Sequence, residues 1–148
     1  MKNKIVIVVS KFNKLITDEL LAGVLEELNN QSVNEKNVQT IEVPGALEIP
    51  GTIKMILKYS KPRAVIALGA VIKGETAHFE FVAENSSRLI SDLSMQNEIP
   101  IINGILTTYD SSQAVKRSSR AEKNKGAEFA KAAMDMLHTY GKIKRTGK

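Results

Sequence analysis

Cysteine is absent from the 148-residue chain. Disulfides, thiolate metal sites and thiol nucleophiles are therefore excluded, and the composition fits a reducing compartment. Histidine is almost as scarce, with His78 and His138 the only two, and two imidazoles without thiolates make a poor zinc site, so no metal is expected. No apolar run approaches the roughly 20 residues that a membrane span needs. The first one, IVIVV at Ile5 to Val9, is too short for a signal-peptide core and runs into Ser10-Lys11 with no small-residue cleavage site, so a cytoplasmic protein is expected. Linkers, internal repeats and low-complexity tracts are missing too, which makes one domain over residues 1–148 the expectation.

What is present is the balance of a globular chain: 43% hydrophobic and 25% charged residues rule out a disordered or fibrous class. The net charge of +5 invites a nucleic-acid reading until it is located. Lys142, Lys144, Arg145 and Lys148 form an acid-free tail, and removing those four charges from +5 leaves +1. No aromatic side chains interleave with them to stack bases, so a solvated basic tail is expected and no nucleic-acid partner.

Four Val/Ile-rich segments read as strands: Lys4 to Ser10, Val38 to Val43, Ala64 to Ile72 and Ile99 to Thr107. Their apolar runs are continuous, the pattern of a parallel sheet covered on both faces, so each is expected to be fully buried. Helical spacing separates them. Ile16, Leu20, Leu21, Val24, Leu25 and Leu28 make one stripe. A second helix is expected from about Ala46 to Tyr59, with Pro50 tolerated in its first turn, and a third from about Ala77 to Met95. A short helix near Ser111 to Ser119 and a final one from about Gly126 to His138 follow. The order β-α-β-α-β-α-β-α-α predicts right-handed crossovers and an α/β fold, a three-layer α/β/α sandwich around a four-stranded parallel sheet. In such folds ligands sit outside the carboxyl ends of the strands.

Four loops therefore matter. GAVIKGETAHFEF, Gly69 to Phe81, nearly spells a phosphate loop: Gly69, Gly74 and Thr76 are in register, but Glu75 stands where the lysine belongs. A triphosphate with magnesium is not expected. A lone phosphate monoester over the loop's N–H groups is one reading; a plain turn at Gly74 with Thr76 as a helix cap is the other. His78 follows in the helix's first turn, either a surface group or an imidazole that takes and returns protons near neutral pH. Phe12, beside Asn13, is either a hydrophobic staple or a stacking face for a planar heterocycle. In VPGALEIP, Val43 to Pro50, Glu48 either accepts hydrogen bonds from hydroxyl groups or complements the helix dipole. Arg117 is a natural phosphate fork, although most arginines on a short polar helix are solvated.

Taken together, SKFN (Ser10 to Asn13), VPGALEIP, GAVIKGETAHFEFVA (Gly69 to Ala83), NGILTT (Asn103 to Thr108), QAVKR (Gln113 to Arg117) and NKG (Asn124 to Gly126) resemble the 6,7-dimethyl-8-ribityllumazine synthase family over nearly the whole chain. The resemblance implies a flavodoxin-like fold. It also implies condensation of 5-amino-6-(D-ribitylamino)uracil with 3,4-dihydroxy-2-butanone 4-phosphate in the penultimate step of riboflavin biosynthesis, without cofactor or metal. By the same resemblance Phe12 and Asn13 meet the pyrimidine, and Ala46, Leu47, Glu48, Ala70, Val71 and Ile72 line its subsite. Glu75 and Thr76 meet the phosphate, and His78 relays protons. Asn103, Arg117 and Lys125 correspond to residues offered by an adjacent subunit, the arginine on phosphate. The family assembles as pentamers and larger shells, so self-association with shared sites is implied. Lys73 departs from the arginine of many relatives and Asn103 from an aromatic. A noncatalytic flavin- or lumazine-binding protein is the alternative in another class.

Overall fold

The computed structural model describes residues 2–147. Its described residues form one four-stranded sheet in the order β2-β1-β3-β4, all neighbours parallel. The strands are β1 (Ile5–Ser10), β2 (Val38–Val43), β3 (Ala64–Ile72) and β4 (Ile101–Thr108). The helices are α1 (Lys14–Asn30), α2 (Ile49–Ser60), α3 (His78–Gln96), α4 (Ser111–Ser118) and α5 (Lys125–Thr146), with short 3-10 turns at Glu35–Asn37 and Ala46–Glu48. This is the three-layer sandwich that the pattern predicts, in the flavodoxin-like arrangement that the resemblance implies.

Successive strand residues point to opposite faces, which divides the core in two. Ile5, Ile7 and Val9 join Ile66, Leu68, Leu20, Val24, Leu28, Ala130 and Ala133 on the α1–α5 side. Val6, Val8, Val65 and Ala67 meet Ile49, Ile53, Ile56 and Ile90 on the α2–α3 side. β1 and β3 occupy the middle of the sheet, so their runs are buried on both faces.

The expectation of full burial fails for the outer strands. β2 is mostly half-buried and β4 alternates, with Asn103 and Thr107 exposed, because an edge strand has only one neighbour and these two edges are not roofed on both sides. Leu25, assigned to the apolar stripe of α1, is exposed. The stripe is narrower than its spacing suggests. The last helix also runs past His138 to Thr146, so most of the basic tail is helix; Lys142, Lys144 and Arg145 are solvated, and Lys144 donates to the Glu98 carbonyl at 3.0 Å. Lys148 lies outside the described residues.

Candidate active site at the carboxyl edge of the sheet

The site begins with unequal strand lengths. β1 pairs with β3 only as far as Val9 and Leu68, whereas β3 continues along β4 to Ile72. Ala70, Val71 and Ile72 thus project beyond the end of β1 as a free wall. Asn13 closes part of that gap. Its side-chain amide donates to the Ala70 carbonyl at 2.8 Å, while its backbone takes the left-handed conformation at φ 59°, which asparagine tolerates better than most residues. The backbone N–H groups of Lys11 and Phe12 donate to the carbonyls of Val43 and Pro44 at 2.8 and 3.1 Å. Three bonds therefore tie the β1–α1 turn to the ends of β2 and β3.

That turn presents Phe12 outward with 70% of its surface exposed, so it is neither a core residue nor a staple. It stands over a cleft of about 470 Å³. From the β2 side come Pro44, Gly45, Ala46, Leu47 and Glu48; from β3, Ala70, Val71 and Ile72; and from the following loop and α3, Gly74, Thr76, His78, Phe79 and Val82. The floor is apolar, Ala46, Val71 and Val82 forming a small buried cluster with Phe79 against it. Polar groups sit at the rim. Such a shape takes a flat, partly apolar ring with hydrogen-bonding groups at its margin.

The loop between β3 and α3 has open space above it. Gly74 has an ordinary negative φ, and a Cβ there would meet nothing within 4 Å, so neither backbone strain nor packing in the chain demands glycine. The space belongs to the cleft. The His78 N–H donates to Thr76 Oγ1 at 3.3 Å, so Thr76, one residue before the N-cap Ala77, holds the first N–H of the helix and also lines the cleft. Lys73 Nζ lies 5.7 Å from the Tyr109 ring centroid, and that ring is tilted against Phe79 at 6.4 Å, which braces the loop against the start of α4.

Five expected site residues are not brought to this cleft by the chain itself. Glu75 is exposed beside it. Asn103 bonds the Ser87 hydroxyl at 3.0 Å and faces a separate groove between α3 and β4. Arg117 donates to the Gln113 carbonyl of its own helix at 3.3 Å, and Lys125 pairs with Glu128 at 2.6 Å. Asn13 is tied up in the wall. Conversely, Pro44, Phe79 and Val82 line the cleft although sequence reasoning assigned none of them to it; Pro44 directly follows β2, and Phe79 and Val82 lie in the first two turns of α3, so closeness to a strand's carboxyl end was the available signal. No cluster of metal-binding side chains occurs among the described residues, and no helix among them is long and apolar enough to cross a membrane.

Fold and cleft together define a flavodoxin-like α/β protein with a candidate ligand cleft at the carboxyl edge of a parallel sheet. Comparison with known proteins narrows this class. The family model described as 6,7-dimethyl-8-ribityllumazine synthase matches residues 2–140. A curated 6,7-dimethyl-8-ribityllumazine synthase of Leuconostoc mesenteroides subsp. mesenteroides is 42% identical over 141 residues, covering 95% of this chain and 90% of that protein. The chain belongs to the 6,7-dimethyl-8-ribityllumazine synthase family. That membership makes it a transferase of riboflavin biosynthesis.

Proposed function

We propose that the cleft condenses 5-amino-6-(D-ribitylamino)uracil with 3,4-dihydroxy-2-butanone 4-phosphate, giving 6,7-dimethyl-8-ribityllumazine, orthophosphate and water. The observation that carries this reading is the meeting of Phe12, Glu48, Thr76 and His78 around one apolar-floored cleft. Phe12 stacks on the pyrimidine, and Glu48 accepts hydrogen bonds from the ribityl hydroxyls. Ala46, Leu47, Ala70, Val71 and Ile72 fit the remaining ring and chain. Thr76, with the open backbone above Gly74 and Glu75 alongside, receives the phosphate. Asn13 holds Phe12 and the β3 wall in register.

An aromatic amine attacking a ketone is already a nucleophile, so the protein needs no serine, cysteine or lysine for that step. Imine formation, phosphate elimination and ring closure each move a proton. His78, beside the phosphate loop, relays them, and the fixed cleft supplies the proximity of two substrates.

Asn103, Arg117 and Lys125 serve the cleft of a neighbouring copy in a homopentamer. Their position outside the chain's own cleft supports that reading, as does the lack of any lysine or arginine lining it among the described residues. A site whose phosphate subsite has only Thr76 and backbone donors lacks the charge that a phosphate ester calls for, and an arginine fork from outside supplies it. Polar, phosphorylated substrates also support a cytoplasmic location. Mixing the purified protein with both substrates and following lumazine absorbance tests the function: product is expected, and binding without product would contradict it.

A further inference from the structure

The turn joining α4 to α5 is seated on one face of α1. Glu19, Gly23 and Glu26 recur at i, i+4 and i+7, so they share that face. Arg120 donates both its backbone N–H and its Nε to Glu19 Oε1, at 3.0 and 3.1 Å, and its Nη1 to Glu26 Oε2 at 3.3 Å. Between the two carboxylates Gly23 lets the turn approach: a Cβ there would stand 2.6 Å from Asn124 Oδ1 and 3.3 Å from the Ala127 nitrogen. From the other side, a Cβ on Gly126 would collide with the Leu20 carbonyl oxygen.

The turn is also closed within itself. Ser119 O accepts from the N–H groups of Glu122 and Asn124, at 3.0 and 2.9 Å, and Lys123 N donates to Lys116 O at 3.2 Å. Asn124 sits at φ 45° and its Oδ1 accepts from Ala127 N at 3.4 Å. Exposed ion pairs of this kind add little stability. A carboxylate that takes a guanidinium and a backbone N–H together, next to two glycine-permitted backbone approaches, fixes a position instead.

The two ends of this seated turn carry Arg117 and Lys125. We infer that Glu19, Gly23 and Glu26 are positioning residues for the phosphate subsite, setting where Arg117 and Lys125 stand when they reach a neighbouring copy's cleft. The inference rests on the proposed phosphate role of those two cations.

Steady-state kinetics on the assembled enzyme, varying each substrate in turn, test it with Glu19→Gln, Gly23→Ala and, as a reference, Arg117→Ala. Displacement of a binding group by about 1 Å is enough to cost one to two orders of magnitude, so Glu19→Gln and Gly23→Ala are expected to raise the KM for the phosphate ester roughly tenfold while the KM for the uracil and kcat stay near wild type. Arg120→Lys, which keeps the charge but not the fork, is expected to fall between wild type and Glu19→Gln. Should Gly23→Ala not fold, the half-buried and nearly isosteric Glu19→Gln still decides. A selective loss in Arg117→Ala with wild-type KM values in Glu19→Gln, whatever its melting temperature, would overturn the seating role alone. An unchanged phosphate KM in Arg117→Ala would overturn the phosphate assignment and this inference with it.

Discussion

In the proposed mechanism the chemistry depends most on His78, because among the described residues no other imidazole, thiol or lysine lines the cleft. General acid–base groups contribute about 10²–10⁴-fold, so His78→Ala is expected to lower kcat by that order with substrate binding little changed; an unaltered turnover number would remove it as the proton carrier. Asn13 tests the geometry around it. Its left-handed backbone favours glycine over alanine by about 1–2 kcal/mol, so thermal denaturation is expected to find Asn13→Ala less stable than Asn13→Gly, although both lose the bond to Ala70. Equal stabilities would mean that the bond alone matters. Phe12, Glu48, Thr76 and His78 were legible in the sequence because each stands at a strand end, where a parallel sheet places ligands. Asn13 as a tether was not, since its partner is 57 residues away and local spacing carries no trace of it.

Elements were legible where burial is two-sided. The Val/Ile runs of β1 and β3 announce central strands, and their observed limits differ from the expected ones by a residue at most. β4 was misjudged as uniformly buried because Asn103 and Thr107 face outward from an edge that periodicity alone cannot assign. Its packing has one tight point. A Cβ on Gly104 would stand 2.6 Å from the Ala67 carbonyl oxygen and 2.8 Å from the Phe129 ring, so Gly104→Ala is expected to destabilise the protein by roughly 1–3 kcal/mol in a denaturant titration; wild-type stability would show that β3, β4 and α5 can separate freely. At the start of α4, the hydroxyl of Ser112 and then the N–H of Gln113 hold the Asp110 carboxyl below its usual range. A lowered folded value means that this stabilisation is present above the unfolded pKa and is lost as pH falls through the folded one. Thermal denaturation followed from about pH 5 to pH 3 is expected to decline less steeply for Asp110→Asn than for wild type, and identical slopes would contradict the cap's role.

At the scale of the molecule, three layers leave one open edge, and at that edge the described residues of a single chain supply an apolar floor, an exposed aromatic ring, an imidazole and backbone donors, but no lysine or arginine. The α4–α5 turn, seated on α1 through contacts 94 and 101 residues apart in sequence, carries Arg117 and Lys125 away from that cleft. Such long-range seating is invisible to motif spacing, which is why the sequence suggested what Arg117 does but not how it is held. Light scattering is expected to report a pentamer or a multiple of it; a monomer that retains full activity would contradict a shared site. Complementation tests the sharing most directly. With the phosphate ester held well below the raised KM of Arg117→Ala, His78→Ala and Arg117→Ala subunits are each expected to be nearly inactive, whereas co-assembled from equal amounts they should regain activity in about one site in four, because a head-to-tail interface pairs each cleft with the neighbour's arginine. Mixed assemblies no more active than either variant alone would place both residues in one chain's site and contradict the account.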